Sequence, residues 1–422
     1  MIETRPQKTQ ERALLIGLEK EGVSKWDLQD SLDELRELAN SAGAEVVDTV
    51  TQKLRKPTAP YYIGRGKAES IKNSCQDRHV TSVIFDDELS PAQGRNLENL
   101  FARKVLDRTQ LILDIFAQRA RSREGRLQIE LAQLQYLLPR LTRMWHHLSR
   151  QTGGIGTRGP GETQLEVDRR RVQERIARLE RELEAVRKTR AIQRQGRKRH
   201  QWPVAAVVGY TNAGKSTLLN LLTGADVVTQ NKLFATLDPT TRSFVLPNKQ
   251  RVLLTDTVGF LRKLPHTLIA SFKATLEEVS EADLLIHIVD LSHPRVDEQM
   301  EAVDSVIKEL DAYGKQTLIV FNKIDNLPNR EPTESYVKRF PGSVAISART
   351  GEGINKLVQT LENALSSWRL RSRFRIPANE SALIAEIHRV GHVLELRYEG
   401  NDALIIAHVP PELAQKLERF AA

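Results

Sequence analysis

The spacing of apolar residues changes period several times along the first 116 residues. Residues 12–19 (RALLIGLE), 45–52 (EVVDTVTQ) and 80–85 (VTSVIF) are short runs rich in β-branched and aliphatic side chains, and they predict strands. Residues 27–40 place apolar side chains at helical spacing. Residues 68–73 read as a further helix, opened by Gly64-Arg65-Gly66-Lys67. Strands alternating with helices predict a small α/β domain over residues 1–116.

The period then becomes a heptad. Leu127, Leu131, Leu134, Leu138, Leu141, Trp145 and Leu148 recur in steps of four and three, which predicts one long amphipathic helix over 126–149. Pro139 lies inside it and predicts a kink or a break. Residues 162–190 repeat the seam with Leu165, Val172, Ile176, Leu179, Leu183 and Val186. Two such helices joined by a short loop predict an antiparallel helical hairpin over 117–200, since neither helix buries its seam alone. A coiled-coil homodimer is the alternative, and the economy of pairing within one chain favours a monomer.

From residue 201 the α/β pattern returns. Val204–Val208, Val252–Leu254, Thr317–Phe321 and Val344–Ile346 are buried-strand patterns, and they assign 201–370 to a second α/β domain. Val393–Tyr398 and Leu404–Val409 flank Glu399-Gly400-Asn401-Asp402, a predicted hairpin. It belongs to a small C-terminal α+β domain at 371–422, with β structure from about Phe374.

Composition narrows the class. Of 422 residues, 40% are hydrophobic and 28% charged, which excludes a disordered chain and fits several folded domains. No run approaches 18 apolar residues, so no membrane-spanning helix is expected. The N-terminal stretch MIETRPQKTQERALL lacks the apolar core of a signal peptide. The single cysteine, Cys75, has no partner for an internal disulfide, and no Cys/His cluster has metal-ligand spacing. A cytoplasmic protein is expected.

Charge adds a partner class. The net charge is +9, yet residues 117–201 alone hold 21 Lys and Arg against 9 Asp and Glu, a net of +12, so the remainder nets −3. A local cationic segment of this kind points to a polyanion such as RNA. The second heptad helix carries Arg169, Arg170, Arg171, Arg175, Arg178, Arg181, Arg187, Lys188 and Arg190. Glu174, Glu180, Glu182 and Glu184 are interleaved, so part of this is ordinary solvated helix surface, whereas Arg190–Arg199 contains no acid. Between the helices runs Thr152-Gly153-Gly154-Ile155-Gly156-Thr157-Arg158-Gly159-Pro160-Gly161. A flexible linker is the plain reading of so many glycines. At the tip of a basic rod, a bare backbone also allows close approach to nucleic acid, with Arg158 pairing to phosphate. The GRGK run has two readings as well: an anion site at a helix N-terminus, or a tight turn with two solvated charges, which is the plainer.

The chemistry concentrates after residue 204. The predicted strand runs into Gly209-Tyr210-Thr211-Asn212-Ala213-Gly214-Lys215-Ser216-Thr217, and a helix follows at Leu218–Leu222. This is GxxxxGK[ST] in strand–loop–helix context, a phosphate-binding loop. Successive backbone N–H groups face phosphate oxygens, Lys215 neutralises the β- and γ-phosphates, and the Ser216 hydroxyl is placed to ligate Mg²⁺. The loop alone does not separate ATP from GTP. Asn322-Lys323-Ile324-Asp325 does, following an apolar strand about 107 residues after Lys215. A carboxylate at Asp325 accepts from the N1–H and 2-amino group of guanine, neither of which adenine offers. The Lys323 stem can lie along the base. Asp256-Thr257-Val258-Gly259 follows another strand, with Asp256 near the Mg²⁺ shell and the Gly259 N–H near the γ-phosphate. Ser347-Ala348-Arg349 offers backbone to the base. In Phe234-Ala235-Thr236-Leu237-Asp238, followed by Pro239-Thr240-Thr241, a mobile threonine is expected to close on Mg²⁺ and the γ-phosphate. Thr236 is the choice and Thr240 the alternative. The candidate catalytic groups are thus Lys215, Thr236 and Gly259, and the candidate metal ligands Ser216 and Thr236. Phe260 stands where many GTPases carry a water-orienting glutamine, which predicts slow hydrolysis by the free protein unless a partner supplies the missing group; the plainer alternative is that Phe260 simply packs against the next helix and a different residue positions the water.

Together with FATLDPTTR (Phe234–Arg242), DTVGF (Asp256–Phe260), GGIGTRGPGETQLE (Gly153–Glu166) and YIGRGK (Tyr62–Lys67), the chain resembles the translation-factor-related GTPases, and among them the HflX family, over nearly its whole length. The resemblance implies an N-terminal α/β domain, a helical hairpin, a P-loop GTPase domain and a small C-terminal domain. It implies GTP/GDP and Mg²⁺ as ligands, binding to the large ribosomal subunit and its rRNA, and splitting or rescue of stalled ribosomes under stress, heat stress included. It also admits ATP binding and peripheral membrane association. SAR in place of the commoner SAK or SAL is a mild departure, expected to matter little because that loop works through its backbone. Two other function classes stand beside an RNA-directed GTPase switch: a structural RNA-binding protein that holds nucleotide without cycling, and an ATP-driven RNA remodeller.

Overall fold

The structure is a computed structural model describing residues 11–22, 24–141, 164–199, 202–224, 234, 239–263 and 278–422. The chain forms two compact units, Met1–Ala185 with Lys263–Phe272, and Val186–Arg262 with Lys273–Ala422.

In the first unit, β1 (Arg12–Glu19), β2 (Glu45–Lys53), β3 (Ser82–Phe85) and β4 (Lys104–Asp107) form a parallel sheet in the order β2-β1-β3-β4. Every residue of β3 is buried and only the ends of β1 are not, as expected of strands covered on both faces. The helix predicted over 27–40 is α1 (Lys25–Ala42), started by a reciprocal capping box between Ser24 and Asp27. The helix predicted over 68–73 is the longer α2 (Arg65–Asp77). Two helices had no expectation, α3 (Pro91–Phe101) and α4 (Arg108–Arg119). Ser90 caps α3 and Pro91 occupies its first turn. Within GRGK, the Gly64 N–H donates to the Gln52 side chain and Arg65 pairs with Glu69 on the same helix. Arg108 and Asp86 form a buried ion pair at 2.9 Å, and Glu34 and Lys263 also engage that pair. Burial alone would raise the Asp86 carboxyl, but Arg108, Lys263 and Ser31 hold it below the usual aspartate range.

The long helix predicted over 126–149 is broken at Pro139, as expected, and residues 142–149 lie outside the described residues. α5 spans Arg123–Leu137, and a 3-10 turn over Leu138–Arg140 follows at Pro139, whose ring and missing N–H end the regular ladder. Trp145 and Leu148 lie outside the described residues, as does the glycine-rich stretch 152–161. α6 covers Gln164–Arg199, longer than the 162–190 expected, so the acid-free run Arg190–Arg199 is helical too. Leu127 and Leu131 of α5 are buried against Leu179 and Leu183 of α6, and Arg175 grips Glu130 through two hydrogen bonds of 2.7 and 2.9 Å. Over these described residues the two heptad seams pack on each other within the chain.

The second unit holds two sheets. The larger has six strands: β5 (Val204–Gly209), β6 (Thr240–Val245), β7 (Arg251–Asp256), β8 (Leu284–Asp290), β9 (Thr317–Asn322) and β10 (Val344–Ala345). Their order is β10-β9-β8-β5-β7-β6, all parallel except the edge strand β6, which runs antiparallel to β7. The smaller is antiparallel, with β11 (Leu370–Pro377), β12 (His392–Glu399) and β13 (Asp402–Val409) in the order β11-β13-β12. Ala403, Ile405, Ala407 and Val409 alternate inward along β13, so one face of the sheet is core. Residues 399–402 form the expected hairpin connection.

Candidate nucleotide site

β5 is central in its sheet, and its C-terminal end opens into the loop 209–214 before α7 (Lys215–Thr223). Loops at the carboxyl ends of parallel strands are where α/β sheets hold ligands. The helix begins on Gly214, whose φ of 97° lies in the left-handed region, and a Cβ there would run into the Asn322 amide. Lys215 is buried, and its ammonium donates to the carbonyls of Gly209 (3.2 Å) and Tyr210 (2.7 Å). Burial pulls its pKa down to about 8; Asp256 opposes that shift and Lys323 adds to it. A phosphate is a stronger, charged acceptor than either carbonyl, so the ammonium is held where an anion would claim it.

Asp256 ends β7 and is fully buried, and the Ser216 hydroxyl donates to its Oδ2 at 2.7 Å. One hydroxyl and one carboxylate oxygen side by side at a helix N-terminus form a hard oxygen donor set of the kind Mg²⁺ takes, so these residues fit the metal. Thr257 turns away from that pair, donating to the Val207 carbonyl at 2.7 Å. Gly259 lies against the phosphate loop: a Cβ there would come within 2.8 Å of Thr211 Cα and 2.9 Å of Lys215 Nζ. Val258 is buried beside it.

Phe260 is also buried. Its N–H donates to the Gly209 carbonyl (3.1 Å) and its carbonyl accepts from the Thr211 N–H (2.8 Å). The residue after the DxxG glycine is thus pinned to the phosphate loop by its backbone, with its ring in the core. The buried ring agrees with the packing role that stood as the alternative reading of Phe260.

Of the segment expected to hold the mobile threonine, Phe234 is described and buried, whereas Ala235, Thr236, Leu237 and Asp238 lie outside the described residues. Thr240, the alternative, begins β6 and sits opposite Asp256 in the antiparallel ladder. Its backbone is committed to the sheet.

The expected base-reading residues converge from two strand ends. Asn322 ends β9 and is buried; its Nδ2 donates to the Ala213 carbonyl (2.8 Å) and its Oδ1 accepts from the Ala348 N–H (2.9 Å). Asn322 therefore ties the phosphate loop to the 347–349 loop, and both ends of its amide are spent on protein. Lys323, with a positive φ of 64°, pairs with Asp290 at 2.7 Å. Ile324 is buried beneath this turn. Asp325 pairs with Arg349 at 3.0 Å. The exposed side chain of the SAR arginine thus engages the carboxylate expected to read guanine. Ser347 is fully buried and its hydroxyl accepts from the Thr350 N–H at 3.1 Å, shaping the loop. Tyr210, Thr211 and Ala213 are buried in the phosphate loop, while Asn212 is exposed there with a left-handed φ of 60°; Thr217 lies in the first turn of α7. Asp290, Arg349 as a side chain, and the buried His287 on β8 escaped the sequence reading. Burial holds the His287 pKa down to about 4, with Lys215 adding to the effect, so the imidazole is neutral and adds no charge beside the lysine.

Comparison with known proteins bears on the family. Residues 29–117 match the family described as GTP-binding GTPase N-terminal, residues 119–197 its middle region, and residues 204–323 the family described as 50S ribosome-binding GTPase. The GTPase HflX of Caldanaerobacter subterraneus subsp. tengcongensis is 46% identical over 98% of this chain and 94% of its own length. The GTPase HflX of Escherichia coli strain K12 is 48% identical over 86% of this chain and 85% of its own. Among solved structures, a GTP-binding protein from Sulfolobus solfataricus in complex with GDP is 26% identical, with a TM-score of 0.45, over 85% of this chain and 99% of that one. With identity at this level along nearly its full length, the chain belongs to the HflX family of GTPases.

Proposed function

We propose that this protein binds the large ribosomal subunit and couples Mg²⁺-dependent GTP hydrolysis to the splitting or rescue of stalled ribosomes under stress, turning over slowly alone and faster on the ribosome. The observation that carries it is Phe260, a buried apolar residue bonded through its backbone to Gly209 and Thr211 where a water-orienting side chain would stand. The rest of the site supports phosphoryl transfer. In this reading Lys215 meets the β- and γ-phosphates and the Gly259 N–H meets the γ-phosphate. Ser216, with Asp256 behind it and Thr236 closing from the preceding loop, would hold Mg²⁺, which supplies charge neutralisation on the phosphate oxygens. Asp325, held by Arg349, is the candidate reader of guanine N1–H and the 2-amino group. Water attacks the γ-phosphorus in line with the departing β-phosphate oxygen, and this chain orients phosphates better than it orients water. The match of residues 204–323 to a 50S ribosome-binding family and the positive 117–201 segment support a ribosomal partner that completes the site.

Single-turnover hydrolysis with and without purified large subunits tests this, together with co-sedimentation in GTP analogue or GDP and gradient analysis of intact ribosomes. The expected result is strong stimulation, analogue-dependent binding and separation of subunits. Phe260→Gln is expected to remain slow alone, because the new amide enters a packed core rather than the phosphate face. Fast hydrolysis by the free wild-type protein with no stimulation refutes partner activation; binding without any hydrolysis favours a protein that holds nucleotide as a structural RNA binder.

A further inference from the structure

A second cleft lies in the Val186–Arg262, Lys273–Ala422 unit, away from the nucleotide site. It has a volume of about 480 Å³ and is lined by Trp202, Lys249, Arg251, Trp368, Arg369 and Arg389 among others. Trp202 precedes the start of β5 and Arg251 begins β7, whereas the phosphate loop leaves the other end of β5. The two sites therefore sit at opposite ends of the same parallel strands.

The lining chemistry is specific in sign and in shape. Among the described residues four cationic side chains and no carboxylate line the cleft, and Glu362, which accepts from the Asn248 N–H, acts on Arg369 from outside the lining. The Arg251 guanidinium lies 4.8 Å from the centre of the Trp202 ring. Arg369 is buried; it donates to the carbonyls of Asn248 (2.8 Å) and Val390 (3.2 Å), while its Nε–H finds no acceptor among the described residues. A buried charged group with a donor left over is costly in a finished core and ordinary in a binding wall. Lys249 is held over the rim by a 2.6 Å hydrogen bond to the His388 carbonyl. Trp202 carries the Arg251 guanidinium against its ring, and Trp368 is partly buried against the core; aromatic rings edged by cations suit a base carrying a phosphate, because the base can stack while the cations pair with the phosphate.

We propose that this cleft binds an unstacked nucleotide of single-stranded RNA, with Trp202 and Trp368 as stacking platforms and Lys249, Arg251 and Arg389 as phosphate contacts. The site is separate from the GTP site and is tested without ribosomes, so this proposal and the ribosomal one stand or fall independently.

The test is fluorescence anisotropy of a labelled single-stranded octauridylate with the full-length protein, saturated with GDP to keep the guanine site occupied, at 50 and 200 mM salt. Arg251→Ala with Arg389→Ala is expected to weaken binding about tenfold or more and to lower the salt slope by about 1.4, the share of two phosphate contacts on a single strand. Trp202→Ala is expected to cost about tenfold and Trp202→Phe to restore most of it, with GTP hydrolysis unchanged in all of them, since none touches the nucleotide site. The Arg169, Arg170 and Arg171 alanine variant serves as background, in which the cleft variants keep their effect. An unchanged affinity and slope in the double variant overturns the proposal. So does uridine monophosphate competing as well as the octamer at equal nucleotide concentration, which would assign the cleft to free nucleotides. Equal competition by an oligoglutamate of the same charge also overturns it, because the aromatic walls would then contribute nothing.

Discussion

Asn322 offers the sharpest test of what the NKxD segment does here. Its amide makes two buried hydrogen bonds, to the Ala213 carbonyl at 2.8 Å and from the Ala348 N–H at 2.9 Å. Asn322→Ala removes both and leaves two buried backbone groups without partners. At about 1–3 kcal/mol for each stranded group, with water entering the space the amide leaves, the loss is roughly 2–4 kcal/mol. Urea unfolding in the absence of nucleotide should show it as a lowered midpoint at constant slope. The phosphate loop and the 347–349 loop would then no longer be fixed to each other, so affinity should fall at least about tenfold for GDP and by a similar factor for XDP. Gly214→Ala supplies the cross-check, because its Cβ would displace the same amide. The two substitutions break one link, so the double variant should cost at least about 1 kcal/mol less than the sum of the singles. Isothermal titration of the four proteins with both nucleotides measures the cycle. Additive costs, or a loss confined to guanine nucleotides with XDP binding intact, would refute the clamp and make Asn322 a direct reader of the base.

Asp325→Asn is expected to shift preference from GTP towards XTP, and Arg349→Ala to weaken GTP binding by a smaller factor by loosening the carboxylate; competition binding decides, and full GTP affinity with no gain for XTP would sink the assignment. The Lys215 ammonium, with its pKa lowered to about 8 by burial, must be charged to bind phosphate. GDP affinity should therefore be flat below about pH 8 and fall by up to tenfold per unit above it; the stability cost of burying the ammonium in the free protein is full below that pH and fades towards the unfolded value of 10.5, so unfolding free energy should rise through that window. On the basic helix, Arg170 lies 3.9 Å from Glu174 and Arg171 3.8 Å from Asp168, both exposed and loosely paired. Replacing Arg169, Arg170 and Arg171 by Ala should flatten the salt dependence of ribosome or RNA binding by roughly two to three in slope, and an unchanged slope would mean that this face is merely solvated.

The sequence by itself determined which elements form wherever a local period is long enough to be seen. RALLIGLE, EVVDTVTQ and the leucine heptads specify strand or helix through side-chain spacing alone, and the nine residues Gly209–Thr217 specify a phosphate loop because its backbone shape needs glycines at fixed offsets. The strand KVLD is four residues long, too short to show a period, and α3 and α4 on either side of it were not separable without it. Pro139 marked the break in the first heptad helix correctly, because its effect is local and covalent. Partner choice was a different matter. That Asn322 spends its amide on Ala213 and Ala348, that Arg349 engages Asp325, and that Phe260 is buried while its backbone locks onto the phosphate loop depend on residues 24 to 109 positions apart being brought side by side. Trp202, Arg251 and Trp368 likewise look unrelated in the chain and share a cleft only after folding. A side chain's type and spacing follow from its neighbours in sequence, but its hydrogen bonds follow from which elements the parallel sheet places beside it, and only the tertiary structure decides that.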